Sequence, residues 1–316
     1  MKLALVGPGI MPIPPNGWGA VEMMLSDYHN ILTKHGIEVN IINTPSRQEI
    51  VEQINSENYD IVHIHYDVFI DIISKINTKI KIISSHYPYI NDISHHAKDN
   101  YHVILPQIIN NKNFHIFASS QKDIDTFIKF GANQENIFLS KLGVKEDDYN
   151  FYTKCIYDKT LCFSQIVERK RQYLIQNIDS IDFMGRLDDQ RFSNFKNYKG
   201  EVPRKFLNQE ISKYSNFILI SSIENVTPLV VKEALICGLG VVVSEAVAYE
   251  LNTDLDFISV IKEQHINDID YIKKTIDENK LISNQKRNEI REYGITNFGL
   301  ESILTKSYIK KLESLL

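Results

Sequence analysis

Short apolar runs alternate with amphipathic segments through most of the chain. The runs at 2–6, 39–42, 60–65, 80–83, 114–119 and 137–140 are brief, continuous and bounded by turn residues. That pattern predicts strands buried on both faces of a parallel sheet. Between the first two runs, Val21, Met24, Leu25, Tyr28, Ile31 and Leu32 fall on one helical face, and Gly36 follows as a stop. Further helices are expected at 47–54, 68–76 and 122–130. A second series follows, with strands at 161–163, 181–184, 216–220, 241–243 and 257–260. Its helices are expected near 172–176, at 204–214 and at 229–236, and the chain is mostly helical from about 267 onward. Strand and helix in strict alternation predict an α/β fold built on parallel sheets.

The polar, aromatic stretch 145–159 interrupts this alternation and reads as a linker. A chain of 316 residues suits two domains. The expected division is an N-terminal domain at 1–150, a C-terminal domain at 151–296, and a terminal helix at 297–316 that packs back on the first domain.

Composition narrows the function classes. Hydrophobic residues make up 43% of the chain and charged residues 24%, as in ordinary globular proteins. The net charge of −5 offers no bulk attraction to nucleic acid. Cys155, Cys162 and Cys237 lack metal-ligand spacing and suggest no disulfide framework, which fits a reducing cytoplasm. No metal site is expected. The apolar start is cut short by Pro8, so no signal-peptide core is expected, and no run is long enough to span a membrane. Lys75, Lys79 and Lys81 cluster in the first domain and could touch an anionic membrane surface, although solvated lysines around a strand's start are the favoured reading.

Candidate chemistry sits just beyond the carboxyl ends of predicted strands, where open α/β sheets bind ligands. His86 follows the run at 80–83. Glu224 lies in the turn after the run at 216–220, and Glu233 lies in the helix behind it. Taken alone, His86 could equally be a structural hydrogen-bonding group, and the two acids could be solvated surface residues. His63 and His65 fall inside a strand and read as core or sheet-face residues. The loop Gly17-Trp18-Gly19 precedes a helix and offers backbone N–H groups to an anion. It lacks the third glycine of a dinucleotide fingerprint, and a proline-rich segment intervenes, which argues against a nicotinamide cofactor.

The order and spacing of these pieces resemble the retaining GT-B glycosyltransferases of family 4. Pro14-Pro15-Asn16-Gly17-Trp18-Gly19-Ala20-Val21-Glu22 is similar to their N-terminal loop signature, and Asp60-Ile61-Val62-His63-Ile64-His65 to one of their strands. Ser85-His86 matches the place of their N-domain histidine. Arg169-Lys170-Arg171 resembles their cationic turn, and Glu224 through Gly238 their paired-acid motif.

The resemblance implies two Rossmann-like domains facing each other across a cleft. A nucleotide diphosphate sugar would bind mainly the C-terminal domain. A glycan, lipid-linked or small-molecule hydroxyl acceptor would bind the N-terminal one. Neither a cofactor nor a metal is implied, so Arg169 and Lys170 would neutralise the leaving diphosphate. Glu233 would hold the ribose hydroxyls, with Glu224 and His86 near the donor sugar. Gly17, Trp18, Gly19, Asn225, Val226, Thr227, Pro228 and Leu229 would complete donor binding.

Two departures stand out. The acids are nine positions apart where the family has eight, so Asn225 competes with Glu224 for the first place. The family's first cation falls five positions before its lysine, which is Gln165 here, leaving Arg169 to substitute. The implied reaction is a same-face substitution in which the leaving phosphate takes the acceptor's proton. Two alternatives fit the same residues: a sugar-nucleotide epimerase of this fold, and a non-catalytic sugar-nucleotide or glycan-binding protein.

Overall fold

The computed structural model describes residues 1–15, 19–110 and 112–316. The chain forms two compact units. Unit 1 comprises Met1–Leu142 together with Glu301–Leu316, and unit 2 comprises Gly143–Leu300.

Unit 1 is built on six strands: β1 (Lys2–Val6), β2 (Glu38–Ile42), β3 (Ile61–Ile64), β4 (Ile80–Ile83), β5 (His115–Ala118) and β6 (Ile137–Leu139). They pair in parallel in the order β2-β1-β3-β4-β5-β6. Alternate residues serve opposite faces. Val62, Ile64, Ile83 and Ile116 join one core with Phe69, Ile73 and Leu105. His63, between Val62 and Ile64, is therefore turned to the other face, where it meets Tyr308 of the C-terminal segment. Leu304, Tyr308 and Leu312 of that segment are buried, and Glu301 pairs with Lys34 and His35.

Unit 2 is built on β7 (Tyr157–Phe163), β8 (Ile181–Met184), β9 (Tyr214–Leu219), β10 (Gly240–Ser244) and β11 (Ile258–Ile261). Their order is β11-β10-β9-β7-β8, again all parallel. The two faces feed separate cores. Leu161, Phe217, Leu219, Val241 and Val243 pack on one side. Cys162, Phe183, Ile218 and Val242 pack on the other. This double burial explains why the strands are continuous apolar runs.

Local sequence accounts for several element ends. Ser46, Ser120 and Asp268 cap their helices by accepting backbone N–H bonds. Helix Leu229–Ile236 ends before Gly238, whose φ of 76° suits glycine. A side chain there would also strike Phe151 and the Arg287 carbonyl.

Three expectations need correction. The stretch at 68–76 is helical, but as a 3₁₀ helix over Asp67–Lys75 that buries Phe69, Ile70, Ile72 and Ile73. The expected helix at 204–214 stops at Glu210, passes through a short 3₁₀ turn, and Tyr214 already opens β9. β7 begins at Tyr157, four residues before the apolar run, because its first residues are polar and more exposed. The stretch 145–159 is well anchored: Tyr149 is buried in the unit 2 core, and Arg287 donates to the Tyr152 carbonyl.

Candidate functional site

In unit 2 the strand order reverses between β7 and β9. The loops leaving those two strands flank a topological switch point, where sheets of this kind bind ligands. The loop after β7 carries Gln165, Arg169 and Lys170. The loop after β9 carries Glu224 to Pro228 and runs into helix Leu229–Ile236. Backbone and hydroxyl bonds tie the two together: the Arg169 carbonyl accepts from the Ser222 N–H at 2.7 Å and from its Oγ at 3.1 Å.

Side chains reinforce that join. Arg169 Nη1 lies 2.5 Å from Glu224 Oε1, and Glu224 is mostly buried. Lys170 is buried beside them. Burial pushes its ammonium down to about 8, opposed in part by the Glu224 charge. The group thus remains cationic at neutral pH but is held near its limit. Gln165 stands apart from the join. It is exposed and donates to Asp188 at 2.5 Å, which also accepts from Arg186. Asn225 is buried next to Glu224, so this loop presents one carboxylate and one amide side by side.

Glu233 is brought to the same helix but faces a different partner. Both of its oxygens receive Arg204, at 2.5 and 3.2 Å, and Arg204 also donates to the Tyr149 hydroxyl. Burial and the Glu233 charge hold the Tyr149 phenol well above its ordinary value. The loop residues Thr227 and Pro228 set the start of the helix. Thr227 is fully buried, and Pro228 occupies the cap position with φ −56°. Val226 and Leu229 are partly buried on either side of them.

Sequence reasoning missed Arg204, Tyr149 and a buried pair between Lys232 and Glu250. None has a short-range signal. Their partners are joined only by the meeting of separate loops and helices.

In unit 1 the carboxyl ends of β3 and β4 carry histidines. The His63 and His65 rings lie 3.8 Å apart, and the His65 and His86 rings lie nearly parallel at 5.8 Å. His63 is bonded to Tyr308 at 2.8 Å and to Ser84 at 2.9 Å, which confirms a core role. Burial pushes His63 and His65 well below the ordinary imidazole value and His86 down to about 4. At neutral pH all three are uncharged. They can exchange hydrogen bonds with hydroxyls but cannot supply positive charge.

Ser85 and Asp67 share the Tyr101 hydroxyl, which fixes the turn leading to His86. Gly19 sits at the start of helix Ala20–Lys34 with φ 131°, and its carbonyl accepts from Met23. Gly17 and Trp18 lie outside the described residues. No group of three metal-ligating side chains occurs among the described residues.

No family model matches the chain, and no curated protein matches it by sequence. Solved structures match it over its whole length. Anabaena HepE, solved with UDP and glucose, aligns with a TM-score of 0.74 at 14% identity, covering 100% of both chains. Sucrose-phosphate synthase from Thermosynechococcus elongatus gives 0.75 at 12% identity, covering 99% of this chain and 98% of its own. AviGT4, a glycosyltransferase of avilamycin A biosynthesis, gives 0.72 at 15% identity, covering 99% and 97%. The fold is GT-B. The loops after β7 and β9 lie at the switch point, where open α/β sheets bind ligands. No described helix is long and apolar enough to cross a membrane.

Proposed function

We propose that this chain transfers a sugar from a nucleotide diphosphate sugar to a hydroxyl acceptor, with retention of configuration. The observation that carries the reading is the junction of two loops at the unit 2 switch point, which gathers Arg169, Lys170 and Glu224. A buried lysine beside an arginine suits a diphosphate, whose charge grows as the sugar leaves. Glu224 or Asn225 orients the sugar, and Glu233, held by Arg204, meets the ribose. The fold shared with HepE, solved with UDP-glucose, supports a donor of that class.

On this reading unit 1 binds the acceptor, with neutral His86 as a hydrogen-bonding group near the sugar, while Gly17 to Gly19 serve donor binding by offering backbone N–H groups to the diphosphate. The departing phosphate takes the acceptor's proton, so no side chain is required as a base. Lys170 and Arg169 do the neutralising that a metal would do elsewhere.

The test is calorimetry of the whole chain against a panel of nucleotide diphosphate sugars, beginning with UDP-glucose, followed by Lys170→Ala. Binding of at least one sugar nucleotide is expected, weakened on the order of 100-fold by the substitution. Absence of binding across the panel, or equal binding by the variant, overturns the reading. Transfer to acceptors, followed by NMR of the product's anomeric proton, decides between retention and inversion. Interconversion of donor sugars with no acceptor present would instead identify an epimerase.

A further inference from the structure

Lys232 is an uncommon residue for its position. It sits in helix Leu229–Ile236, immediately before Glu233, and its side chain is only 1% exposed. Its Nζ lies 2.9 Å from Glu250 Oε2 and 5.3 Å from the centre of the Phe298 ring. Removing two charges from water is costly, and buried ion pairs commonly give less stability than apolar side chains of equal size. Fold stability therefore explains poorly why this pair stands in the core.

The same carboxylate oxygen explains it better. Glu250 Oε2 accepts the backbone N–H of Thr227 at 3.1 Å. Thr227 Oγ1 donates to the Val247 carbonyl at 3.0 Å and accepts from the Glu250 N–H at 3.2 Å. Ser244 Oγ adds a bond to the Ser221 carbonyl at 2.6 Å. The segment following β10 thus grips the loop following β9 from behind, at the backbone, while that loop turns its Glu224 side chain to Arg169. An apolar residue at 250 could fill the same space but could not accept the Thr227 amide.

We propose that the Lys232–Glu250 pair is a positioning device for the donor loop. Glu250 fixes the Thr227 backbone, and Lys232 fixes Glu250. Neither side chain touches the donor. This inference rests on the reading of residues 224–229 as donor-binding.

Two double variants separate positioning from mere packing. K232M/E250L removes both charges and leaves the Thr227 amide without its acceptor. K232M/E250Q also removes both charges but keeps a side-chain oxygen for that amide. Each is titrated with UDP-glucose, or with whichever sugar nucleotide the wild-type chain binds best, and its thermal midpoint is recorded. K232M/E250L is expected to bind about ten-fold more weakly, at a midpoint close to wild type because replacing the buried ion pair by apolar side chains offsets the stranded amide. K232M/E250Q is expected within about two-fold of wild type on the same scale.

Equal binding by both variants, whether at wild-type strength or equally weakened, overturns the inference while leaving the donor reading intact. If the wild-type chain binds no sugar nucleotide, the donor reading fails and this inference with it. Should K232M/E250L not fold, K232M/E250M carries the test, since it too removes the acceptor of the Thr227 amide while filling the space with a more adaptable side chain. Unchanged donor affinity in that variant overturns the proposal.

Discussion

The two units solve the same problem by opposite means. Each keeps polar groups near the carboxyl ends of its central strands. Unit 1 keeps them neutral: burial holds three imidazoles uncharged, and the Tyr308 and Ser84 hydroxyls satisfy His63. Unit 2 keeps charges and matches them, with Glu224 on Arg169, Glu233 on Arg204 and Glu250 on Lys232. A neutral surface of donors and acceptors suits an uncharged sugar or hydroxyl. Where the lattice of matched charges ends in Arg169, an anionic diphosphate can re-partner it. The contrast therefore parallels the acceptor and donor roles proposed for the units.

Acid should break this symmetry most strongly. The unfolded chain protonates its histidines near the ordinary value of 6.5, whereas His86 in the fold resists down to about 4. Their stabilising contribution is complete above about 6.5 and is lost as the pH falls from there toward the folded value. Between pH 7 and 5, His86 alone should cost about 2 kcal/mol, with His63 and His65 adding to it. Hydrogen exchange at the two pH values should show the loss in unit 1 first. Equal loss in both units would contradict the comparison.

Next in size is Arg204→Met, which leaves Glu233 buried without its guanidinium. Because Arg204 is itself partly exposed, a loss of about 2 kcal/mol is expected, read from denaturant midpoints and confined by exchange to unit 2. Tyr308→Phe should cost about 1 kcal/mol by stranding a buried nitrogen of His63, with the effect confined to unit 1.

Lys170 supplies a subtler check. Its ammonium is lost above about 8, so donor affinity measured by calorimetry should fall as pH rises from 7.5 to 9. A flat profile would argue against Lys170 at the diphosphate. The smallest effect is expected from Arg171→Gly. Arg171 holds φ 56°, a left-handed conformation that favours glycine, and its partner Glu263 is exposed. A gain of about 0.5 kcal/mol in thermal stability is expected.

The fold was readable because doubly buried parallel strands are unbroken apolar runs, as at 60–65 and 216–220. Elements lacking that signature were harder. Helix Tyr101–Asn110 went unassigned because Pro106 lies inside it, against the usual rule for proline. The polar opening of β7 at Tyr157 was invisible for the same reason that edges are: its residues are not buried. In the candidate site, the position of Glu224 followed from a strand end, whereas Arg169 and Lys170 came from the family resemblance. The partners Arg204 and Glu250 did not. They lie 29 and 18 residues from Glu233 and Lys232, a separation no local pattern encodes.

Unit 1 is assembled from two separated pieces of chain, with Tyr308 bonded to His63 across 245 residues. Unit 2 is a single continuous stretch. Domains fold as units while the chain is being made. During synthesis, then, unit 2 can reach its final packing while His63 still awaits its hydroxyl partner. The unit that leaves the ribosome earlier is the one completed later.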